Sequence, residues 1–183
     1  MSVIGPVAFL DRDGTLVKCD VLDDVPVPKH DSLELVAGAM EACDLLRHFG
    51  FALVLVTNQP DVARGRVDRR TVEEANRHVA ALLGLDLVLA CLHDDLDRCA
   101  CRKPKPGLLL EAATILGADL DRSSVVIGDR WRDIDAGVAA GVTTVLIDRG
   151  YGEVLNARPD HVAPDLVTAA EWIGANLVTR SQR

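Results

Sequence analysis

The sequence has no run of about 18 apolar residues, so no helix that spans a membrane is expected. Residues 1–6 lack the basic start and the long apolar segment of a signal peptide. Acidic residues outnumber basic ones, which gives a formal net charge of −8. Because the phosphate backbone of nucleic acids attracts basic proteins, an acidic protein is poorly suited to bind it. We therefore expect a cytoplasmic protein without a membrane or nucleic-acid partner.

Cysteines are few, and their spacing does not suggest a set of disulfides. The chain has five, of which three cluster at Cys91, Cys99 and Cys101. In a reducing compartment such a cluster indicates a metal site more often than a disulfide framework. With 183 residues and 49 % hydrophobic content, the chain is long enough to bury one core. We expect residues 1–183 to form a single domain.

Apolar runs alternate with helical patterns along the chain. The runs predict strands at 7–10, 51–56, 85–92, 125–127 and 142–147, and the patterns predict helices at about 33–49, 70–83, 107–117, 132–140 and 165–178. This alternation is typical of an α/β fold with a doubly wound, Rossmann-like parallel sheet and helices on both faces. Residues 17–32 are predicted to form a flap loop over the site. Because no insertion is long enough for a large cap domain, an open site is expected.

Two carboxylates follow the first predicted strand directly. Asp11 and Asp13 lie at its carboxyl end, the edge where parallel sheets bind ligands, and Gly14 allows a sharp turn. Two close carboxylates repel unless a cation or a shared proton relieves them. The pair indicates a Mg²⁺ site with an aspartate nucleophile and a neighbouring acid/base. An aspartate that caps an ordinary turn is the alternative.

Polar residues also follow two other predicted strands. Thr57 and Asn58 are placed to donate hydrogen bonds to a phosphoryl oxygen, although both residue types are common in turns. Asp129 follows a glycine at a strand end equivalent to that of Asp11, and a helix cap is its alternative role. One helical turn later, Asp133 is placed to orient Asp129 or a metal-bound water.

A zinc loop is predicted at residues 91–101. Cys91, His93, Cys99 and Cys101 form a Cys₃His set, which is a closed, tetrahedral and therefore structural type of zinc site. Buried cysteines beside a surface histidine are the alternative. The cations that follow directly, Arg102, Lys103 and Lys105, indicate an anion clamp, or otherwise a solvated basic loop.

Taken together and in this order, the four motifs described above resemble those of the haloacid-dehalogenase-like (HAD) phosphohydrolases over about residues 7–150. The cysteine–histidine cluster resembles specifically the zinc-containing subgroup without a large cap, which includes heptose-bisphosphate phosphatases and histidinol-phosphate phosphatases. The residues that carry the resemblance are Asp11-Arg12-Asp13-Gly14-Thr15, Thr57-Asn58-Gln59, Cys101-Arg102-Lys103-Pro104 and Gly128-Asp129-Arg130.

The resemblance implies a role for each matching residue. Asp11 would be the nucleophile and Asp13 the general acid/base, while Thr57 and Lys103 would hold the transferring oxygens. Catalytic Mg²⁺ would be bound by the side chains of Asp11 and Asp129 and by the backbone carbonyl of Asp13, and zinc would be structural. Substrate contacts would come from Asn58, Gln59, Arg64, Arg102 and Arg130.

The expected activity is that of a monomeric phosphomonoesterase acting on a small phosphorylated sugar. A sugar bisphosphate such as D-glycero-D-manno-heptose 1,7-bisphosphate, losing its 7-phosphate, is the first expectation. Histidinol phosphate or another small phosphate is the alternative within the subgroup, and a zinc-stabilised binding module without activity is the alternative outside it. The chain departs from the heptose-phosphatase pattern at Ala37, at Pro60-Asp61 and in its acidic flap, at Asp20, Asp23 and Asp24.

Overall fold

The computed structural model describes residues 5–22, 25–27 and 33–178. The flap acids Asp23 and Asp24, residues 28–32 and the first four residues of the chain therefore lie outside it. Among the described residues, no helix has both the length and the apolar character needed to cross a membrane. The strands are β1 (Val7–Leu10), β2 (Asp20–Leu22), β3 (Val25–Val27), β4 (Ala52–Asn58), β5 (Leu87–Cys91), β6 (Val125–Gly128), β7 (Thr143–Ile147) and β8 (His161–Ala163). The helices are α1 (Ala39–His48), α2 (Arg69–Leu83), α3 (Gly107–Leu116), α4 (Trp131–Ala140) and α5 (Leu166–Asn176), with a short 3₁₀ helix at Asp95–Asp97.

Six strands form one parallel sheet in the order β5-β4-β1-β6-β7-β8. The central strand β1 pairs with both β4 and β6, and Leu10 lies opposite Leu55 on one side and Ile127 on the other. Parallel neighbours end at the same edge of a sheet, so the residues at the ends of these three strands and directly after them come together there. This register brings Asp11, Thr57 and Asp129 to one end of the molecule.

Helices cover both faces of this sheet, as the unbroken apolar strands predict. On one face, Leu10, Leu55 and Ile127 pack in a cluster that includes residues of α1, α2 and α5. On the other face, Phe9 and Val126 pack in a second cluster with residues of α3 and α4. The predicted doubly wound α/β fold is confirmed.

The structure corrects three details of the predicted elements. Helix α1 begins at Ala39 rather than near residue 33, because Gly38 before it has a positive φ of 78° that breaks the helix. The flap contains an antiparallel pair, β2 with β3, where a loop was predicted. Strand β8 was not predicted at all, since three residues are too short for a recognisable pattern.

Candidate active site

A cleft of about 360 Å³ opens beside the carboxyl ends of β1 and β4. Most of the predicted catalytic and substrate-binding residues line it. Gln59 and Asp129 do not; they are 1 % and 4 % exposed, and Asp129 lines a second cavity of about 310 Å³. The lining residues are Asp11, Asp13, Thr57, Asn58, Pro60, Asp61, Arg64, Arg66, Asp95, Arg102, Lys103, Arg130, Arg132 and Asp133.

Lys103 is the electrostatic centre of the cleft. Its buried ammonium group donates to Asp11 Oδ1 at 2.6 Å, to Asp133 Oδ1 at 2.5 Å and to the Val56 carbonyl oxygen at 2.8 Å. Burial by itself lowers the pKa of Lys103, but Asp11 and Asp133 reverse this and raise the pKa above its usual value. The lysine is therefore a fixed positive charge beside Asp11.

Asp133 holds Lys103, a contact that was not predicted, while its predicted role in orienting Asp129 or a metal-bound water stays a prediction. Its first carboxylate oxygen accepts from Lys103, and its second accepts from the backbone N–H of Arg130 at 3.1 Å, which caps the first turn of α4. A side chain at Gly128 would prevent this arrangement, since a Cβ there would lie 2.3 Å from Asp133 Cγ. Glycine before Asp129 thus makes room for the residue that holds the lysine.

Two predicted substrate ligands make contacts within the protein. The Asn58 side chain donates to the Lys103 carbonyl oxygen at 2.9 Å and accepts from its N–H at 3.0 Å, so it fixes the backbone of that lysine. Gln59 Nε2 donates to Asp13 Oδ2 at 2.6 Å and to Thr57 Oγ1 at 2.9 Å. Asn58 still lines the cleft, whereas Gln59 does not.

The carboxylates at the edge of the sheet fit a divalent cation. Ligand oxygens of Asp11, Asp129 and Asp133 lie within 4.8 Å of one another. Asp129 Oδ2 is buried without a hydrogen-bond partner, which is costly unless a cation binds it. Counting Asp13 as well, there are four carboxylates against two cations, Lys103 and Arg12, so two negative charges remain. An oxygen-rich site with this excess suits Mg²⁺.

Gly14 is required at this position. A Cβ there would lie 2.0 Å from Asp129 Oδ2, and the residue has a positive φ of 87°. The turn after β1 therefore passes directly against Asp129 Oδ2, which no larger residue would allow.

Without a metal, the protonated forms of Asp11 and Asp129 are favoured. Burial raises the pKa of Asp11 to about 7, with Lys103 opposing the increase and Asp133 adding to it. Burial, followed by the charges of Asp11 and Asp133, also raises the pKa of Asp129 well above its usual value. Protons and Mg²⁺ should therefore compete for the same oxygens.

We predict that Mg²⁺ stabilises the protein more at pH 8 than at pH 5.5. The folded-state pKa of Asp11 lies above its unfolded value of about 3.9, so in Mg²⁺-free buffer stability is lost as pH rises through about 7. Mg²⁺ binds the deprotonated folded state and restores stability where that loss is largest. The measurement is the Mg²⁺-induced increase in Tm at each pH, with zinc retained. An increase that does not depend on pH would contradict the assignment.

The four predicted zinc ligands meet at one point. Cys91 Sγ lies 3.6 Å from Cys99 Sγ and 3.3 Å from Cys101 Sγ, and His93 Nδ1 lies 3.6 Å from Cys91 Sγ and 3.3 Å from Cys101 Sγ. All the cysteines are free thiols. Zinc–ligand bonds of about 2.0–2.3 Å in a tetrahedron place the ligand atoms roughly this far apart. The cluster therefore fits one zinc ion with no open position.

Three arginines predicted to contact substrate are each held by a carboxylate. Arg102 donates to Asp95 Oδ1 at 2.7 Å, Arg64 pairs with Asp94, and Arg130 pairs with Glu153. These pairs fix the guanidinium groups at the wall of the cleft. They also reduce the positive charge that each presents.

The sequence interpretation gave no role to Arg12, Asn76 and Arg132. Arg12, which stands between Asp11 and Asp13 in the sequence, is fully buried, and Asn76 on α2 is 3 % exposed. A signal for Asn76 was present, because it occupies the apolar stripe of α2 with Val72 and Val79. Arg132 lies one position after Trp131, in the first turn of α4, and lines the cleft.

Comparison with known proteins places these features in a family. Residues 100–169 match the HAD-hydrolase-like family model. The chain is 34 % identical to the D-glycero-beta-D-manno-heptose-1,7-bisphosphate 7-phosphatase of Escherichia coli (strain K12), covering 92 % of this chain and 87 % of that protein. It is 36 % identical to the D-glycero-D-manno-heptose-1,7-bisphosphate 7-phosphatase of Chlorobaculum tepidum, over 89 % and 91 % of the two chains.

A solved structure agrees with this similarity. The D,D-heptose 1,7-bisphosphate phosphatase of B. bronchiseptica, complexed with magnesium and phosphate, superposes with a TM-score of 0.76. It is 31 % identical, and the match covers 92 % of this chain and 97 % of that one. The predicted resemblance is therefore confirmed over nearly the whole length of both chains.

Proposed function

Since this chain belongs to the HAD-like hydrolases, we propose that it removes a phosphoryl group from a small sugar phosphate through an aspartyl-phosphate on Asp11. It is a phosphoric monoester hydrolase of this family. The observation that carries the proposal is the contact of Lys103 with Asp11 Oδ1, together with Asp129 Oδ2, which is buried without a hydrogen-bond partner among the described residues. This arrangement combines an anionic nucleophile with the positive charge that a phosphate dianion needs in order to approach it.

In the first step, a carboxylate oxygen of Asp11 attacks phosphorus and the bond from phosphorus to the substrate's bridging oxygen breaks. Asp13 gives a proton to that oxygen, so the leaving group departs as an alcohol. Asp13 then takes a proton from water, whose oxygen attacks phosphorus and releases inorganic phosphate from Asp11. The Thr57 hydroxyl donates to a phosphoryl oxygen. Lys103 does so with the N–H that contacts Asp11 Oδ1 in the free protein, because Asp11 loses its negative charge when it is phosphorylated, while the contacts with Asp133 and Val56 are kept.

The site fits Mg²⁺, which the side chains of Asp11 and Asp129 and the backbone carbonyl of Asp13 would hold. When bound, the ion neutralises the negative charge that develops on the phosphoryl oxygens. Asp133 keeps Lys103 in place by accepting its second hydrogen bond. Zinc, on the Cys₃His cluster, takes no part in the chemistry, since its four positions are all filled by protein.

The charge of the cleft wall supports a substrate with a second anionic group. Among the five arginines that line the cleft, Arg132 alone makes no ion pair or hydrogen bond with a described residue. Burial and the nearby Arg102 lower the pKa of Arg132, although a guanidinium stays charged in proteins. The half-buried Arg132, stacked 4.7 Å from the Trp131 ring, is therefore a positive charge at the cleft that no described carboxylate contacts directly, although Asp95 and Glu153 lie near enough to act on it.

This wall favours a bisphosphate over histidinol phosphate. The second phosphate of a sugar bisphosphate neutralises Arg132, whereas histidinol phosphate brings an ammonium group that the arginines repel. Together with the names of its relatives, this supports D-glycero-D-manno-heptose 1,7-bisphosphate as the substrate, with loss of the 7-phosphate. We further propose that the chain works as a single-domain monomer in the cytoplasm, which its free cysteines suit.

The proposal is tested by phosphate release from p-nitrophenyl phosphate and from a panel of phosphates with and without Mg²⁺. The panel includes both anomers of the heptose bisphosphate, the matching monophosphate and histidinol phosphate. Mg²⁺-dependent release that is fastest from a bisphosphate is expected. Absence of release from every member would favour a binding module, and preference for histidinol phosphate would overturn the substrate assignment.

Replacing Arg132 by Met should separate recognition from chemistry. We expect KM for the bisphosphate to rise about 10-fold, since one charge-assisted contact is lost, with kcat little changed. KM for the monophosphate should stay nearly constant. Arg66→Met is the matched control, because Arg66 also lines the cleft but is exposed and paired with Asp61. Equal effects of Arg132→Met on both substrates would show that Arg132 does not contact the second phosphate.

A further inference from the structure

A fully buried arginine, Arg12, binds one of the two aspartates that follow β1. Arg12 has no exposed surface and does not line the cleft, so it cannot touch a substrate bound there. Its Nε donates to Asp13 Oδ1 at 3.0 Å and its Nη2 donates to Asp13 Oδ2 at 2.9 Å. The third nitrogen, Nη1, donates to Asn76 Oδ1 at 2.7 Å, across 64 residues of sequence.

This geometry fixes the plane of the Asp13 carboxylate. A guanidinium that binds both oxygens of a carboxylate leaves it little freedom to rotate, unlike a single ammonium contact. Asn76 belongs to the buried face of α2. Its hydrogen bond therefore holds the Arg12 guanidinium against a helix that packs on the sheet. Asp13 itself reaches the cleft, with 14 % of its side chain exposed.

The hydrogen bonds also distinguish the two oxygens of Asp13. Oδ2 accepts from both Arg12 and Gln59, which uses its two lone pairs. Oδ1 accepts only from Arg12 among the described residues, so one of its lone pairs remains available. A proton bound to this carboxyl therefore belongs on Oδ1.

We propose that Arg12 and Asn76 are positioning residues that hold Asp13 Oδ1 toward the bridging oxygen of the substrate. The inference rests on the proposed function, in which Asp13 is the general acid. Arg12 acts through Asp13, and Asn76 acts through Arg12. Their effect should appear only where the leaving group needs a proton.

The leaving group provides the test. A sugar alkoxide is strongly basic and leaves only when it is protonated, whereas p-nitrophenolate is stable as an anion and leaves without a proton. Loss of general acid catalysis typically lowers a rate by about 10²–10⁴-fold. Asp13→Asn should therefore reduce kcat much more for the sugar phosphate than for the first step with p-nitrophenyl phosphate, measured as the burst of p-nitrophenolate in a single turnover.

Asn76→Leu is the primary variant, because leucine is similar in size and suits a buried helix face. We expect single-turnover cleavage of the sugar phosphate to slow about 10–100-fold, while p-nitrophenolate release changes less than about 3-fold and KM stays constant. Arg12→Lys, which keeps the charge but cannot fork, should show the same selectivity. Asn76→Asp keeps the acceptor oxygen and should recover most of the loss.

Each outcome decides the inference. Equal loss on both substrates in Asn76→Leu, with an unchanged Tm, would show a general structural role and overturn it. Full activity of Asn76→Leu on the sugar phosphate would overturn it as well. If wild-type protein released no phosphate from either substrate, the proposed function itself would fail. If it were active but Asp13→Asn lost both activities equally, only the acid role of Asp13 and this inference would fail.

Discussion

Asp11→Asn is expected to abolish phosphate release, lowering kcat by about 10⁴-fold or more. The amide has nearly the same shape as the carboxylate but is a poor nucleophile, so no aspartyl-phosphate forms. The fold should persist, because Lys103 keeps its contacts with Asp133 and the Val56 carbonyl oxygen. In Mg²⁺-free buffer at neutral pH, Tm should not fall, since burial already disfavours the charged form of Asp11.

The measurements are phosphate release from the bisphosphate and from p-nitrophenyl phosphate, together with a thermal melt. Asp119→Asn serves as the matched control, because Asp119 is exposed and does not line the cleft. Substantial turnover by Asp11→Asn would exclude the covalent mechanism. A variant that is inactive only because it is unfolded would be revealed by the melt.

Loss of zinc is the second large effect that we expect. Purified protein should contain about one zinc per chain, and Cys101→Ser should remove it. Structural zinc contributes strongly to folding, so the free energy of unfolding should fall by several kcal/mol. For a chain of this size, each kcal/mol corresponds to about 2–4 °C in Tm. KM should also rise, because Cys101 directly precedes Arg102 and Lys103 in the wall of the cleft.

The controls separate this zinc from the catalytic metal. Cys19→Ser should leave both zinc content and Tm nearly unchanged, since Cys19 lies outside the cluster. The residual activity of Cys101→Ser should keep its dependence on Mg²⁺, because Asp11 and Asp129 are intact. Protein purified without chelators that contains no zinc would defeat the structural-metal assignment. Hydrolysis that requires zinc but not Mg²⁺ would defeat the division of roles.

Local patterns in the sequence were sufficient for most of the scaffold. The longer strands of the sheet and the five α-helices were predicted, because burial on one or both faces gives a pattern of apolar residues that is visible over a short stretch of sequence. The 3₁₀ helix at Asp95–Asp97 was not predicted. The zinc cluster could also be predicted, since Cys91, His93, Cys99 and Cys101 lie close together in the sequence, at the end of β5 and in the loop that follows it. The same holds for Asp11 and Asp13, which follow β1 directly.

Other features depend on contacts between distant segments. The sequence places Lys103 and Asp133 near the site, but only the fold shows that one ammonium group joins Asp133 to Asp11. Likewise, Asn58 and Gln59 lie at the carboxyl end of β4, close to where the sequence placed them, yet their amides bind neighbouring protein groups. Hydrogen-bond partners are chosen by distance and direction, and neither is encoded in the order of residues along the chain.

The clearest case is the pair Arg12 and Asn76. In the sequence, Arg12 is a charged residue between two aspartates, and Asn76 is one polar residue in an apolar stripe, so neither by itself indicates a role in the site. Only when α2 packs against the sheet does Asn76 Oδ1 meet the guanidinium and complete the support of Asp13. Sequence alone determined which chemical groups this protein has at the edge of its sheet. The tertiary structure decided which of them hold one another in place, because a buried charge must find its partners wherever the packed chain brings them.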